Sequence, residues 1–423
     1  MIQLIRGFKD ILPGEGELWQ HIEKTTVDLF EAYGFSEIRL PLLEKSELFA
    51  RSIGEDTDIV EKEMYTFPDR KGDLVTLRPE ATASIVRSYV QHKLYAQDPV
   101  QKFYTIGPMF RRERPQKGRY RQFYQINAEV LGVESPLIDA QLIFMLVTLF
   151  SRLSVKDTEV QLNSLGCPAC RPAFKAALSG FLSGVKEKLC TDCLRRSDRN
   201  PLRVLDCKVP TCQEAITGVP SLLDFLCADC KTHFKTVQDA LGRLNISYTI
   251  NSRLVRGLDY YTRTAFEIQT HSLGAQNAIA GGGRYDGLIQ LLGGPDMPAI
   301  GFAIGLDRLV EVAGLERSDF IKKPDVFVAA LGEESMQVTF DWSCALGLAG
   351  VTTEMDLGGK SLKSLMKRAN RLGAAYVLIV GANELDKGEI LLRNMATKEQ
   401  TVLPLAGIVE KIAAIVRRES KPL

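Results

Sequence analysis

Residues 110–129 read FRRERPQKGRYRQFYQINAE, and this stretch decides most of the interpretation. Six Arg and Lys residues crowd 111–121, and polar and apolar residues then alternate through 122–130 with the period of two that a strand requires. Four side chains would share one face of that strand: Phe123, Gln125, Asn127 and Glu129. The pattern predicts an anion site beside a polar pocket, with an exposed basic loop between two ordinary strands as the alternative.

The preceding segment completes a hairpin. KFYTIGPMF at 102–110 also has strand character, and the Gly, Lys and Pro residues after it predict a long connecting loop. Arg111 would then lie where one strand ends, with Gln125 and Glu129 on the partner strand.

Bulk composition describes an ordinary folded chain. It has 423 residues, 45% apolar and 25% charged, which predicts two or three domains with a sizeable core. The formal net charge of +1 gives no bias toward nucleic acid, so the local concentration of positive charge matters more than its total. The start lacks a basic region followed by an apolar one, and no run reaches the ~18 apolar residues of a membrane span. We therefore expect a cytoplasmic protein with no membrane segment.

Two early segments bear on assembly and on the pocket. The strand-like stretch 34–49 contains Pro41, which belongs at an edge or a bulge and would suit contact with a second subunit. Residues 74–90 predict a strand leading into a helix, with Glu80 and Thr82 in the first turn. These groups either cap the helix or bind a substrate ammonium, and the pattern alone favours capping.

Eight of the nine cysteines fall between residues 167 and 230. Their spacing suits tetrahedral zinc better than disulfides in a reducing compartment. They occur in four pairs: Cys167/Cys170, Cys190/Cys193, Cys207/Cys212 and Cys227/Cys230. Free cysteine is also a good small core residue, and the sequence favours this packing interpretation, so no metal ligand is assigned. The stretch from about 167 to 235 is predicted to be an inserted helical subdomain.

Two later motifs could serve a ligand. NAIAGGGRYDGL at 277–288 places three glycines before Arg284 and Tyr285, which allows close approach of a ligand to the backbone. PAIGFAIGLDRLVEV at 298–312 predicts a strand entering a helix, with Arg308 in its first turns. A helix N-terminus with an arginine suits a polyphosphate, although an arginine on a solvated face gives the same pattern.

Beyond a basic turn at 321–325, alternating strands and helices predict a compact α/β domain. Its middle helix, predicted at 360–372, carries a one-sided basic row: Lys360, Lys363, Lys367 and Arg371. Such a row either contacts a phosphate backbone or is a solvated helix face.

Over its whole length the sequence resembles the bacterial-type histidyl-tRNA synthetases, which are class II aminoacyl-tRNA synthetases. The resemblance rests on the Pro41 strand and on these motifs: RGFKDILP at 6–13, FRRERPQKGRYRQFYQ at 110–125, RGLDYYTRTAFE at 256–267, AGGGRYDGL at 280–288 and GFAIGLDRL at 301–309. It implies an α+β fold. Residues 1–325 would form a catalytic domain on a six-stranded antiparallel sheet with the helical insertion, and 326–423 an anticodon-binding α/β domain.

The resemblance also implies the reaction and the role of each site residue. The histidine carboxylate would attack the α-phosphorus of ATP in the presence of Mg²⁺, and the histidyl group would then pass from the adenylate to tRNA(His). Catalysis and ATP binding would fall to Arg111, Arg256 and Arg308. Histidine would be held by Glu80, Thr82 and Gln125 at its ammonium, and by Glu129 with Tyr260 or Tyr261 at its imidazole. The tRNA would contact Arg114, Gln116, Lys117 and the basic row Lys360, Lys363, Lys367 and Arg371, in a homodimer.

Three other functions compete with this one. The first is the catalytically idle, synthetase-like regulatory subunit of ATP phosphoribosyltransferase, against which the intact RGLDYY at 256–261 and the complete C-terminal α/β domain argue. The second is a class II synthetase for another amino acid, disfavoured by the twin tyrosines and Glu129. The third is an RNA-binding protein without enzymatic activity, which would not explain a polar strand face beside three separated arginines.

Overall fold

The computed structural model describes residues 1–116, 118–273 and 277–419. The chain forms two compact units, Met1–Asp319 and Phe320–Leu423. No helix among the described residues is long and apolar enough to cross a membrane.

The first unit contains a large sheet, a small sheet and the helices that cover them. Its strands are β1 (Ser36–Glu37), β2 (Leu43–Lys45), β3 (Tyr65–Pro68), β4 (Leu74–Leu77), β5 (Gln101–Phe110), β6 (Gln122–Leu131), β7 (Thr158–Ser164), β8 (Tyr248–Ile250), β9 (Thr262–Thr270), β10 (Ala278–Arg284) and β11 (Ala299–Gly305). Its helices are α1 (Gly16–Ala32), α2 (Ser46–Ile53), α3 (Thr82–Gln91), α4 (Pro136–Arg152), α5 (Arg171–Ser183), α6 (Thr191–Arg199), α7 (Pro210–Ala215), α8 (Ala228–Arg243), α9 (Leu288–Leu291) and α10 (Leu306–Val312).

The large sheet has the strand order β1-β5-β6-β11-β10-β9-β7-β8. Every neighbouring pair from β5 to β7 in this order is antiparallel, as expected for the six-stranded catalytic sheet. The short strands β1 and β8 extend it to eight by pairing in parallel at the two edges. The predicted hairpin is confirmed, because β5 and β6 pair in register from Gln101–Leu131 to Phe110–Gln122.

Helix α1 covers one face of this sheet. Its apolar residues recur with the period of an amphipathic helix, and Ile22 and Phe30 are completely buried. The ring of Phe30 packs edge-on against Phe302 of β11, with 5.8 Å between ring centroids. Burial of side chains of this size stabilises the fold by about 1.5–3 kcal/mol each. The opposite face of the sheet is left for the cleft described below.

The prediction of one proline-interrupted strand over 34–49 is wrong in detail. The chain leaves the large sheet after Ile38, whose amide donates to the carbonyl of Tyr104, and enters the small sheet β2-β4-β3 at Leu43. Pro41 lies between the two strands, where its missing N–H interrupts no ladder.

The cysteine-rich segment is helical, as predicted. It comprises α5, α6 and α7 with short 3₁₀ turns, and it leads into α8. Helix α8 continues past residue 235 to Arg243 and packs against α4, where a ring nitrogen of His233 lies 2.8 Å from a carboxylate oxygen of Asp139.

The second unit is an α/β sandwich. Its strands are β12 (Val326–Ala330), β13 (Thr353–Met355), β14 (Tyr376–Val380), β15 (Glu389–Asn394) and β16 (Gln400–Pro404), and its helices are α11 (Glu333–Leu348), α12 (Leu362–Leu372), α13 (Ala382–Lys387) and α14 (Ile408–Glu419). The sheet order is β13-β12-β14-β15-β16, parallel over the first three strands and antiparallel at the end. The predicted alternation of strands and helices is present. Helix α13 and strand β16 are short, and β16 is mostly exposed.

Candidate active site

A cleft of about 630 Å³ lies over the face of the large sheet opposite α1. The residues chosen from the sequence for histidine and ATP all line it, although they come from five separate parts of the chain. They are Glu80, Thr82, Arg111, Gln125, Glu129, Arg256, Tyr260, Tyr261 and Arg308. The polar face predicted for β6 is confirmed, because Phe123, Gln125, Asn127 and Glu129 all line the cleft.

Small residues form the floor of the cleft. Glu129 of β6 is paired in register with Gly301 of β11, which is paired in turn with Gly283 of β10. The next row joins Asn127 to Ala303. Directly opposed residues project to the same face of a sheet, so the central strands present glycine and alanine beneath the long side chains of β6. The small residues of β10 and β11, including part of the GGG motif, therefore create the concave floor of the cleft.

Two buried carboxyl groups define one end of the cleft. Glu80 accepts hydrogen bonds from the backbone amides of Thr82 (2.7 Å) and Ala83 (2.9 Å), so it caps α3 as the pattern favoured. The hydroxyl of Thr82 donates to Oε1 of Glu129 at 2.6 Å. The hydroxyl of Tyr285 donates to Oε2 of Glu129, also at 2.6 Å. Helix capping and a position in the cleft are thus compatible roles for Glu80.

Burial raises the pKa of both carboxyl groups at this end of the cleft. It raises the pKa of Glu129 from 4.5 to about 8, outweighing the hydrogen bonds from Thr82 and Tyr285, which lower it. Burial also raises the pKa of Glu80, against the lowering effect of the amide hydrogen bonds. A cationic or strongly donating ligand group at this end would favour the ionised form of both carboxyl groups, because its charge or hydrogen bonds would offset their loss of hydration.

Three tyrosine rings wall the acidic end. The centroids of Tyr260 and Tyr261 lie 4.7 Å apart, and Tyr260 meets Tyr285 edge-on at 5.6 Å. The site assignment made from the sequence omitted Tyr285, although this residue immediately follows the GGGR run. Its partner Glu129 lies far away in the chain, so only the fold brings them together.

Two acceptor atoms on the same face of β6 are buried without a hydrogen-bond partner among the described residues: Oε1 of Gln125 and Oδ1 of Asn127. Nε of Arg256 and Oε2 of Glu113, on other cleft-lining residues, are also buried without one, although Oε2 of Glu113 lies 3.1 Å from Nε of Arg119. Buried acceptors are rarely left unpaired, because each unpaired acceptor lowers the stability of the folded protein by about 1–3 kcal/mol. Gln125 and Asn127 are both suited to accept hydrogen bonds from a ligand. Asn127 was not among the sequence-based candidates, but the same alternating pattern identifies it.

The three arginines predicted from the sequence to bind ATP line other parts of the cleft. Arg111 donates through Nε to the carbonyl of Pro79 at 2.9 Å and lies over the ring of Phe123, 5.2 Å from its centroid. Arg308, in the first turn of α10, donates to the carbonyl oxygens of Gly118 (3.1 Å) and Ala278 (2.8 Å). These backbone contacts hold both guanidinium groups in place.

Within the described part of the chain, Arg256 is held by a carboxylate and not by backbone carbonyls. It donates to Oε2 of Glu267 at 2.8 Å, and its guanidinium lies 5.8 Å from the ring centroid of Tyr261. A β-carbon at residue 281 would lie 2.4 Å from Nη1 of Arg256, so Gly281 provides the space that this side chain occupies. Sequence reasoning missed Glu267, which ends the RGLDYYTRTAFE motif and lines the cleft.

The GGGR motif has a structural component as well. Arg284 is fully buried and donates to Asp139 through Nε at 2.9 Å, and to the carbonyls of Val133 and Ser135. Asp139 also meets His233, so the group ties β10, α4 and α8 together. Arg284 therefore anchors the fold, whereas its neighbour Tyr285 reaches the cleft.

Among the described residues, those predicted to contact tRNA do not line the cleft. Arg114 and Gln116 are exposed on the loop between β5 and β6, where Gln116 pairs with Arg119 through two backbone hydrogen bonds. Lys117 lies outside the described residues. Lys363, Lys367 and Arg371 are exposed on α12 in the second unit.

The placement of Lys360 on that helix is wrong. Helix α12 begins at Leu362, after Ser361 in an extended conformation. Lys360 precedes it and lies 3.2 Å from the buried carboxylate of Asp356, which also accepts a hydrogen bond from Arg368 at 2.7 Å. These tertiary contacts fix the turn before the helix and hold the pKa of Asp356 at about 2.

Comparison with known proteins agrees with this geometry. A family model described as histidyl-tRNA synthetase matches residues 7–309, and one described as an anticodon-binding domain matches 325–415. The chain is 61% identical over 418 residues to a histidine–tRNA ligase of Desulfatibacillum aliphaticivorans, covering 99% of this chain and 100% of that one. It is 60% identical over 420 residues to a histidine–tRNA ligase of Desulforapulum autotrophicum, covering 99% of each. Among solved structures, apo S. aureus histidyl-tRNA synthetase is similar with a TM-score of 0.82 at 35% identity, covering 98% of this chain and 100% of that one.

Proposed function

The chain belongs to the histidyl-tRNA synthetase family and is a class II histidine–tRNA ligase; on this premise we propose how its cleft divides the work between the two reaction steps. In the first step histidine and ATP form histidyl-adenylate and pyrophosphate. In the second, the terminal ribose hydroxyl of tRNA(His) attacks the activated carbonyl and releases AMP.

The acidic end of the cleft is the amino-acid subsite. The α-ammonium of histidine lies against Glu80, Thr82 and Gln125. Its positive charge stabilises the ionised form of the buried Glu80 carboxyl group. The imidazole lies toward Glu129 and the tyrosines, which offer both an acceptor and donors, as a neutral imidazole requires. The unpartnered Oε1 of Gln125 supports the ammonium position. A matched polar pocket of this kind discriminates by ~10⁴-fold or more without an editing site.

The three arginines serve the phosphates of ATP. Arg111 and Arg256 contact the α-phosphate from two sides, and Arg308 contacts the distal phosphates. Guanidinium groups already fixed by backbone or carboxylate contacts stabilise charge that develops in the transition state without reorganising. The contacts of Arg111 with Pro79, of Arg308 with Gly118 and of Arg256 with Glu267 support this assignment.

The chemistry of the cleft also fits Mg²⁺ entering with ATP. In nucleotide sites this ion is held by one or two carboxylates together with phosphates and water. Glu113 and Glu267 line the cleft beside the arginines. Oε1 of Glu113 lies 3.9 Å from Nη1 of Arg111, and Oε2 of Glu267 lies 2.8 Å from Nη1 of Arg256. These two carboxylates would hold the ion, which neutralises charge on the triphosphate when bound.

The observation that carries the proposal is that a single cleft contains the buried acidic end, the unpartnered amides and all three arginines. Equilibrium binding of two histidine analogues tests the amino-acid subsite. L-Histidinol keeps the ammonium and the imidazole and should bind with an affinity within about tenfold of that of L-histidine, since both keep the contacts of this subsite. N-acetyl-L-histidine lacks the ammonium and should lose at least ~10²-fold in affinity, since it leaves a buried carboxyl unpaired. Equal binding of both analogues would remove Glu80 and Gln125 from ammonium recognition.

The second unit is the anticodon-binding domain in this proposal, with Lys363, Lys367 and Arg371 contacting the tRNA backbone. The match of residues 325–415 to the anticodon-binding family supports it. Arg114, Gln116 and Lys117 would contact the acceptor end, because their loop adjoins the cleft residues Arg111, Glu113 and Arg119. The requirement for tRNA also favours the cytoplasm as the site of action.

We further propose a homodimer formed through the small sheet. Leu43 and Phe67 are 45% and 44% exposed and project to the same face of this sheet, because their partners Leu77 and Val75 lie two residues apart on β4. Light scattering coupled to gel filtration should give twice the chain mass of 47.0 kDa. A monomer at micromolar concentration would contradict this part of the proposal.

The regulatory subunit of ATP phosphoribosyltransferase is the less supported alternative. Its function requires binding without adenylate chemistry, whereas this chain keeps both the acidic subsite and the arginines around one cleft. Full-length relatives at about 60% identity are histidine–tRNA ligases.

A further inference from the structure

Eight cysteines of the insertion are gathered into two separate groups of four. The first group is Cys167, Cys170, Cys227 and Cys230, and the second is Cys190, Cys193, Cys207 and Cys212. Within each group every sulfur lies within 4.8 Å of every other. The sequence pairs therefore combine two by two, and the first group joins cysteines 60 residues apart.

The sulfur separations match a single tetrahedral ion. Sγ of Cys167 lies 3.6 Å from that of Cys170 and 3.9 Å from that of Cys227, and Cys190 lies 4.0 Å from Cys207. Four thiolates at the usual Zn–S distance of ~2.3 Å stand ~3.8 Å from one another. A disulfide would bring two sulfurs to ~2.05 Å, and all of these cysteines are free. A multinuclear iron–sulfur cluster would hold the sulfurs much further apart, because its cysteines bind different iron atoms.

Backbone amides also point at the sulfurs. The amide of Cys227 donates to Sγ of Cys170 at 3.2 Å, and the amide of Cys190 donates to Sγ of Cys212 at 3.0 Å. Each hydrogen bond joins one cysteine pair of its group to the other pair. Hydrogen bonds of this kind stabilise thiolates and orient metal ligands.

Cations are placed to balance the thiolate charge. A Zn²⁺ ion with four thiolates carries a net charge of about −2. Arg171 directly follows Cys170, and Arg196 follows Cys193 by three residues on α6, where it is also paired with Asp58.

The two groups differ in their apolar surroundings. The second group lies within a large core that includes Phe174 and Leu178 of α5, whereas the first group lies in a small, separate cluster. Around the first group the apolar support consists of Leu223 and Leu226. A core this small supplies little stability without a metal or a disulfide.

We propose that the insertion holds two structural Zn²⁺ ions, one in each group of four cysteines. This reverses the packing interpretation that the sequence alone favoured, because spacing along the chain does not show that separate pairs converge. Each site has four protein ligands and no open position, so the ions stabilise the insertion and take no part in the reaction. The inference does not depend on the proposed roles of the cleft residues.

Two arginines connect the cysteine groups to the cleft through hydrogen bonds. Arg171 directly follows Cys170, and its guanidinium donates to the carbonyl of Tyr261. Arg203 lies four residues before Cys207 and donates to the carbonyl of Arg256 at 3.1 Å. The metal sites would thus fix two arginines that hold the segment between Arg256 and Tyr261.

Metal analysis of protein purified under reducing conditions without chelators tests the proposal. Wild type should contain about two zinc ions per chain, and Cys170→Ser or Cys193→Ser about one, because each variant disables one closed site. The double variant should contain about none. Cys344→Ser is the matched control, since Cys344 is exposed and belongs to neither group; it should keep both ions. Fewer than ~0.1 zinc per chain in wild type, or stoichiometric iron, would overturn the proposal.

A second measurement covers variants that fail to fold. Wild-type protein is stripped with a chelator under reducing conditions, and its Tm is compared before and after Zn²⁺ is returned. The stripped protein should melt at least ~5 °C lower and recover with Zn²⁺ but not with Mg²⁺, which disfavours thiolate ligands. An unchanged Tm after complete removal of metal would mean that the cysteines are packing residues.

Discussion

Glu129 and Gly301 face each other directly across β6 and β11, and a β-carbon at residue 301 would lie 1.5 Å from Oε2 of Glu129. The acidic group at the end of the cleft therefore occupies the space above a glycine. That carboxyl group also accepts hydrogen bonds from Thr82 and Tyr285, one to each of its oxygens. In the proposed function, recognition of the imidazole depends on this arrangement.

Replacement of Gly301 by alanine should displace Glu129. Gly301→Ala is expected to reduce kcat/KM for histidine in adenylate formation by ~10²-fold or more, because a displaced carboxyl leaves buried hydrogen bonds unmade. Gly180→Ala is the matched control: its β-carbon would meet no atom within 4 Å on helix α5. It should leave activity unchanged. Equal activity of the two variants would show that the contact with Gly301 does not position the carboxyl.

The pKa of Glu129 predicts a pH dependence of stability. Because its folded-state pKa is raised from 4.5 to about 8, the native state retains a proton that the unfolded state releases between those values. The free energy of unfolding should therefore fall as pH rises through this window, by at most about 1.4 kcal/mol per pH unit from this group. Above about pH 8 the contribution becomes flat.

Urea unfolding of wild type and Glu129→Gln from pH 5 to pH 9 measures that contribution. The stability of wild type relative to the variant should decline with pH up to about 8 and then stop changing. Parallel curves across the range would show that Glu129 titrates normally.

Arg256 should act in adenylate formation. Arg256→Ala is expected to slow single-turnover formation of the adenylate by ~10²-fold or more, because a fixed donor to developing charge is removed. The exposed Arg152 on α4 gives the control variant, Arg152→Ala, which should behave as wild type. A folded Arg256→Ala protein with an unchanged single-turnover rate would exclude this residue from the mechanism.

Local patterns predicted those parts of the site that lie within one strand or one helix turn. The alternation from Gln122 to Val130 placed Gln125 and Glu129 correctly, because strand geometry depends only on neighbouring residues. Tyr285 was missed as a partner of Glu129 because the two are 156 residues apart and are joined only by the order of the strands.

The errors have two different causes. Lys360 fits the spacing of α12, but it pairs with Asp356, four residues before it in the chain, and therefore belongs to the turn that precedes the helix. The cysteine pairs have metal-binding spacing, but the convergence of Cys167 with Cys227 depends on the contact between the turn that precedes α5 and the residue that precedes α8. No pattern confined to one segment contains that information.

The basic row on α12 should affect tRNA and not adenylation. Lys363→Glu combined with Lys367→Glu is expected to weaken tRNA binding and to reduce its salt dependence, by about 0.7–0.9 in the log–log slope for each lost phosphate contact. ATP–pyrophosphate exchange should barely change. Lys387→Glu combined with Arg418→Glu makes the same change in charge elsewhere in the second unit and serves as the control. Wild-type aminoacylation by the α12 variant at low tRNA concentration would show that the row is a solvated helix face.

Amino-acid-dependent ATP–pyrophosphate exchange tests the central claim most directly, because it requires the acidic subsite and the arginines of the cleft to act together. Each of the twenty amino acids is supplied separately, with and without Mg²⁺. The account predicts exchange with L-histidine that depends on Mg²⁺, and little signal with any other amino acid. Exchange with proline, threonine or glycine in place of histidine, or exchange with none of the twenty, would contradict it.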